Sequence, residues 1–131
     1  MQLSMVEHQL RERGLSLTRQ RVAIVNVLSG HTGHPTASDV YEAVVDLEPA
    51  SRSTVYNTLA LFAELGLVRT LPTATGELRY DPNTEPHHHF RCTRCGALTD
   101  VPSEQVEVAW KAEGYAVSSV SVVVEGVCPS C

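Results

Sequence analysis

Two Cys-x-x-Cys pairs, Cys92/Cys95 and Cys128/Cys131, restrict what this chain can fold into more than any other feature. A knuckle of that spacing lets one turn supply two thiolate ligands, and two knuckles complete a tetrahedral zinc shell. The 32 residues from Gly96 to Val127 separate them. That exceeds the ~15–20 of a zinc ribbon. It leaves room for a strand–helix–strand unit whose two ends must meet. The pairing favours a structural zinc held by Cys92, Cys95, Cys128 and Cys131 over disulfides or free thiols, and a reducing cytoplasm disfavours disulfides. Three consecutive histidines, His87, His88 and His89, stand just before the first knuckle. Imidazole and thiolate are ligands of borderline transition metals. A second, sensing site built around the histidines is therefore expected beside the zinc.

Length allows one ordinary domain or two small ones sharing an interface in 131 residues. At 43% hydrophobic the chain is globular. No apolar run approaches the ~18 residues of a membrane span. Residues 1–8 lack the basic-then-apolar pattern of a signal peptide, so a cytoplasmic protein without a membrane partner is expected. The net charge of −5 weighs mildly against nucleic-acid binding. Its distribution softens that objection. Residues 1–80 carry seven Arg/Lys against eight Asp/Glu, whereas residues 81–131 carry three against seven. The acidity sits with the metal ligands, where bound cations offset part of it.

Periodicity and capping signals give the N-terminal elements. Leu3, Val6 and Leu10 share one face of a first helix, Ser4 to Arg13, stopped by Gly14. Thr18 caps a second, Arg19 to Leu28, with Val22, Val25 and Leu28 or Ile24 inward. A loop, residues 31–35, follows, and Pro35 biases His34 toward extended backbone. Thr36 to Asp39 reads as a capping box opening a helix to about Leu47, with Val40, Val44 and Leu47 buried. After a turn at residues 48–50, Ser51 or Ser53 caps a helix that ends at Leu65-Gly66. Two helices joined by so short a turn suggest a helix-turn-helix.

On the last helix Val55, Leu59 and Phe62 form the buried side. Ser53, Tyr56 and Asn57 fall opposite, with Arg52 at the N-terminal end. That face suits base edges and phosphates in a major groove, and equally suits a solvated helix side. Residues 67–71 and 77–80 then read as a β-hairpin, the wing of a winged helix, from which Arg69 or Arg79 can reach phosphate.

The proline-bounded segment 81–86 is the clearest linker. The expected organisation is α+β: a winged-helix DNA-binding domain over residues 1–80, a hinge at 81–86, and a small α/β dimerisation and metal-binding domain over 87–131. Within the last, residues 89–91 and 97–101 read as strands flanking the knuckle, residues 102–112 as a helix, and the valine-rich run 115–125 as a strand with one side available to a partner chain. Trp110 is expected in the core or the dimer interface. No His-Glu-x-x-His or comparable catalytic motif is present, so an enzyme is not expected.

Together these features resemble the ferric uptake regulator family. The resemblance rests on Thr54-Val55-Tyr56-Asn57-Thr58-Leu59 in the recognition helix, on His-x-His-x-x-Cys-x-x-Cys-Gly from His87 to Gly96, and on the terminal Cys-x-x-Cys. It covers nearly the whole chain. It implies a homodimeric, metal-dependent repressor that binds a palindromic double-stranded DNA operator through Arg52, Ser53, Thr54, Tyr56 and Asn57.

Within that family the pattern is most similar to the peroxide-sensing repressors. The similarity implies a regulatory site of His34 (in His34-Pro35-Thr36-Ala37), Asp81, His87, His89 and Asp100. Iron-uptake members generally have glutamate where this chain has Asp81 and Asp100, and more often arginine where it has Asn57. Three imidazoles and two carboxylates make a mixed nitrogen–oxygen set suited to Fe2+ or Mn2+. The similarity further implies that iron promotes oxidation of His34 or His87, releasing the metal and the DNA. His88 points the other way from its neighbours in an extended segment and is read as a non-ligand. The alternative within the same family is an iron- or manganese-responsive uptake regulator insensitive to peroxide.

Overall fold

The computed structural model describes residues 1–31, 33–73 and 75–131. The chain forms two compact units, Met1–Thr84 and Glu85–Cys131. No helix among the described residues is long and apolar enough to cross a membrane.

The N-terminal unit holds four helices and a hairpin: α1 (Leu3–Glu12), α2 (Arg19–Gly30), α3 (Ala37–Val45), α4 (Arg52–Glu64), β1 (Arg69–Pro72) and β2 (Leu78–Asp81). Three helices start where a hydroxyl can accept an otherwise unsatisfied amide hydrogen. Thr18 accepts from Arg21 N, Thr36 from Asp39 N, and Ser51 from Thr54 N. At Thr36 the Asp39 carboxylate returns the bond to the Thr36 amide, completing a capping box. That amide bond is the main reason the Asp39 carboxyl lies below its usual range. Helices α1 and α4 end at glycines with φ of 71° and 74°, Gly14 and Gly66. There the amides of Leu15 and Leu67 reach back to the carbonyls of Leu10 and Phe62. A side chain with a Cβ is strained in that backbone region.

Val6, Leu10, Ile24, Leu28, Val40, Val44, Val55, Leu59 and Phe62 are all fully buried and form one core. Each contributes about 1.5–3 kcal/mol of apolar burial. Two residues differ from expectation. Leu47 lies beyond the end of α3 and is 62% exposed, because the helix stops at Val45. Val22 is only half-buried, and Ala23 takes its place in the core. The hairpin pairs β1 and β2 antiparallel, Arg69 opposite Asp81 through Pro72 opposite Leu78. The loop before α3 adds to its edge: Thr36 bridges Arg79, and Tyr80 N–H donates to Pro35 O at 2.8 Å.

The C-terminal unit is a three-stranded sheet in the order β4-β3-β5, from β3 (His87–Cys92), β4 (Leu98–Pro102) and β5 (Val123–Gly126). Strand β3 runs antiparallel to β4 and parallel to β5. The expected helix over 102–112 is absent among the described residues. A short 3-10 turn, Ser103–Gln105, takes its start, and Val106 is already extended. The spacing does not favour a helix there, although the segment forms no strand either. Val106, Val108 and Trp110 recur every second residue, the period of a strand, and Val108 and Trp110 are exposed. Among the described residues this unit therefore holds three strands and one 3-10 turn. Of the valine-rich run only Val123–Gly126 pairs as a strand, while Tyr115, Val117 and Val120 stay exposed.

Candidate metal centres and nucleic-acid face

Cys92 ends β3 and Cys95 lies in the turn after it, and the segment after β5 carries Cys128 and Cys131. Parallel pairing of β3 with β5, ending at Cys92 opposite Gly126, brings the two knuckles to the same end of the sheet. All four Sγ atoms lie within 4.8 Å of one another. Cys92 Sγ is 3.9 Å from Cys131 Sγ, and Cys95 Sγ is 3.8 Å from Cys128 Sγ. A tetrahedron with zinc–sulfur bonds of about 2.3 Å has edges of about 3.8 Å. A disulfide needs about 2.05 Å, and all four thiols are free. The donor set therefore fits a structural zinc and excludes the disulfide alternative.

The electrostatics agree. Amide hydrogens of Cys95 and Cys128 donate to Cys92 Sγ, both at 3.4 Å, and lower its thiol to about 6. The side chains of Cys128 and Cys95 push the Cys131 thiol up to about 12. Four sulfurs this close cannot all carry negative charge without a cation among them.

The histidines and aspartates fall into one cluster in each unit. In the N-terminal unit His34 Nε2 lies 3.4 Å from Asp81 Oδ2, and both side chains are buried. The two are brought together by the edge pairing of the His34 loop on β2, whose last residue is Asp81. Asn83 N–H donates to Asp81 Oδ1 at 2.9 Å and helps fix the carboxylate. Arg79 Nη1 donates to His34 O at 2.8 Å.

In the C-terminal unit His87 and His89 share a face of β3 because they are two residues apart. Asp100 on β4 is paired directly opposite His89. One of its oxygens lies 3.3 Å from His89 Nε2 and 3.6 Å from His87 Nε2. The imidazoles meet edge to face with centroids 4.6 Å apart. His87 Nδ1 lies 2.7 Å from Glu85 O. A carbonyl only accepts, so Nδ1 carries a hydrogen, and Nε2 is the ring nitrogen turned toward Asp100. His88 differs. Its Nδ1 accepts from Val122 N–H at 3.1 Å, which occupies that lone pair in tying β3 to the chain before β5.

The other candidate face is on α4. Arg52, Ser53, Thr54, Tyr56 and Asn57 are all exposed along it. Arg52 is held in place: its guanidinium lies over the Tyr41 ring, 4.4 Å from the centroid, and Nη1 is 3.5 Å from Tyr56 Oη. Tyr41 was not singled out by the sequence. It sits one residue after buried Val40, and nothing local marks it as the platform for a residue on the next helix.

A profile of the ferric uptake regulator family matches residues 12–124. The chain belongs to the ferric uptake regulator family. Members of this family are metal-responsive, DNA-binding repressors. Among curated relatives, the peroxide operon regulator of Bacillus subtilis is 37% identical over 127 residues, covering 93% of this chain and 88% of that one. Among solved structures, the ferric uptake regulator of Helicobacter pylori shares the fold with a TM-score of 0.81 at 23% identity, over 98% of this chain and 90% of that one. The peroxide sensor PerR from Streptococcus pyogenes matches with a TM-score of 0.55 at 28% identity, over 97% of this chain and 90% of that one. In ferric uptake regulator terms, α3 and α4 form the helix-turn-helix and β1–β2 the wing.

Proposed function

We propose that this regulator is a peroxide-sensing repressor whose regulatory metal is held jointly by His34 and Asp81 from one unit and by His87, His89 and Asp100 from the other. The observation that carries the reading is the matched chemistry of the two clusters. Each sets imidazole Nε2 atoms against a carboxylate oxygen at 3.3–3.6 Å. Five such donors suit Fe2+ or Mn2+ better than zinc, which prefers four ligands and takes the cysteines. The names of the Bacillus and Streptococcus relatives support the peroxide reading.

The residues supply three functions. The Asp81 and Asp100 carboxylates provide hard oxygen donors and charge to balance a divalent cation. Glu85 O fixes the His87 tautomer so that Nε2 faces the metal. His34 and Asp81 on one unit, with the other three on the second, make metal binding a link between units, so occupancy sets the spacing of paired α4 helices in a homodimer. Fe2+ held by these residues would supply reduction of peroxide, one oxygen being added to the ring of His34 or His87 and the other leaving as water, whereas Mn2+ would supply ligation without that chemistry. An oxidised ring is a poorer ligand, so the link between units loosens. Arg52, Ser53, Thr54, Tyr56 and Asn57 read a palindromic operator as two half-sites. Such a repressor works in the cytoplasm, where the DNA is.

The test is a paired one on zinc-loaded protein. One sample is loaded anaerobically with Fe2+ and one with Mn2+. Both receive brief peroxide, and then operator binding and oxidised peptides are measured. The expected outcome is DNA release and an added oxygen on His34 or His87 in the iron form alone. If both forms stay bound and unoxidised, the chain is an iron- or manganese-responsive uptake regulator instead.

A further inference from the structure

We propose that Arg79 is a positioning residue of the regulatory site: by clamping the His34 carbonyl to strand β2 it sets the affinity for the regulatory metal without touching metal or DNA. This inference rests on the reading of His34 and Asp81 as ligands.

His34 sits in the loop between α2 and α3, where backbone is not held by a ladder of its own. A ligand on such a segment loses much of its affinity to the cost of ordering it. Three contacts from β2 remove that freedom. Arg79 Nη1 donates to His34 O at 2.8 Å, Tyr80 N–H donates to Pro35 O at 2.8 Å, and Thr36 bridges Arg79 in antiparallel fashion. The segment they hold is sealed: His34, Pro35 and Thr36 are all buried. Of these three, the Arg79 hydrogen bond comes from a side chain, so it can be removed with the backbone pairing left in place.

The geometry of β2 explains why this position carries the task. Residues 79 and 81 are two apart and share a face. The strand that presents Asp81 to His34 Nε2 at 3.4 Å therefore also presents the clamp to His34 O. The distance between the two ligands is set by one short stretch of backbone. A guanidinium donating to a half-buried carbonyl is a charge-assisted bond, stronger than a neutral one. Its charge also favours the ionised Asp39, whose carboxylate closes the cap of α3 at Thr36. The His34 loop is thus held between β2 and the start of the helix-turn-helix.

The experiment measures Mn2+ binding by the full-length, zinc-loaded protein, following the free-ion resonance signal at a temperature well below each variant's unfolding midpoint. Arg79→Gln is expected to weaken Mn2+ binding about 10-fold, the low end for loss of an outer partner of a metal ligand. Arg79→Lys keeps a charged donor and is expected to lose less, about 3-fold on the same scale. Operator affinity at saturating Mn2+ is expected to stay within about 2-fold, with an unchanged salt slope. Hydrogen exchange at the Tyr80 amide, measured without Mn2+, is expected to quicken in Arg79→Gln. Unchanged Mn2+ affinity in both variants overturns the proposal. So does weaker operator binding at saturating Mn2+ with a salt slope smaller by about 1, which marks a phosphate contact. His34→Ala separates this failure from failure of the site itself. If His34→Ala weakens Mn2+ binding while both Arg79 variants match the parent, the clamp alone is wrong. If His34→Ala also binds Mn2+ as the parent does, the ligand reading falls with it.

Discussion

The two units of this chain are stabilised by opposite means. In Met1–Thr84 the buried side chains are mostly aliphatic, from Val6 through Phe62 to Tyr80. In Glu85–Cys131 the buried side chains among the described residues are His87, His88, His89 and Cys92. Phe90, Leu98, Val101, Val106 and Val122 are half-buried, while Val108, Trp110, Tyr115, Val117, Val120, Val123, Val124 and Val127 are exposed. A unit this short cannot bury enough apolar surface to offset chain entropy unless something else holds it. Here the something else is a metal: zinc joins the ends of a segment that no core joins. The difference teaches that the N-terminal unit has an aliphatic core of its own, whereas the C-terminal unit brings together groups suited to holding a metal.

The sharpest way to break that contrast is to remove the zinc. Chelation, or Cys92→Ser, is expected to unfold residues 85–131 and leave 1–84 folded. Structural zinc contributes about 10–16 kcal/mol of apparent binding free energy at neutral pH, more than a small unit's whole stability. Hydrogen exchange resolved by peptide is the measurement: fast exchange across β3–β5 and retained protection in α2–α4. Equal loss in both units would show that the N-terminal unit leans on its neighbour. Acid sharpens the test. The Cys92 thiol is lowered from 9.0 to about 6 in the folded chain. A lowered value means stability that is full above the unfolded value, declines as pH falls, and is gone below the folded one. Zinc competes with protons for the four thiolates, so acid should release it to a chromogenic chelator.

The second break runs the other way. Phe62→Ala empties the largest fully buried side chain in the N-terminal core. Such a change costs about 3–5 kcal/mol. Thermal unfolding of residues 1–84 should shift down strongly while zinc content stays at one per chain. Concurrent zinc loss would contradict the independence of the two units.

The contrast also explains what could be read in advance. The N-terminal elements were legible because local chemistry and packing agree there. Thr18, Thr36 and Ser51 mark helix starts by accepting amide hydrogens, and Val55, Leu59 and Phe62 mark a buried face by their spacing. The zinc knuckles were legible for the same reason, since spacing alone dictates what they can bind. The segment 102–112 was not. Its capping-like Pro102-Ser103 start argued for a helix, while the alternation of Val106, Val108 and Trp110 argued for a strand, and no core of its own unit decides between them. Contacts made at long range left no local trace either. Arg79 meets His34 across 45 positions and Tyr41 lies under Arg52 on another helix. Only the register of β2 and the packing of α3 on α4 reveal them.

The smallest of the expected effects tests how the N-terminal unit adds up its stability. Thr36→Ala removes the hydroxyl that accepts from Asp39 N at 3.1 Å but leaves the Asp39 carboxylate bonded to the residue 36 amide. Loss of a threonine cap costs about 1 kcal/mol. In a unit of this size that lowers the midpoint by about 4–8 °C. Thr36→Ser retains the acceptor and should recover most of the loss. Because the cap also anchors the chain next to His34, the substitution has a second, diagnostic readout. If the cap serves only the helix, the midpoint falls and Mn2+ affinity does not. If affinity falls with it, the start of α3 is part of the device that holds His34, and the sensing site reaches into the helix-turn-helix through a single turn of backbone.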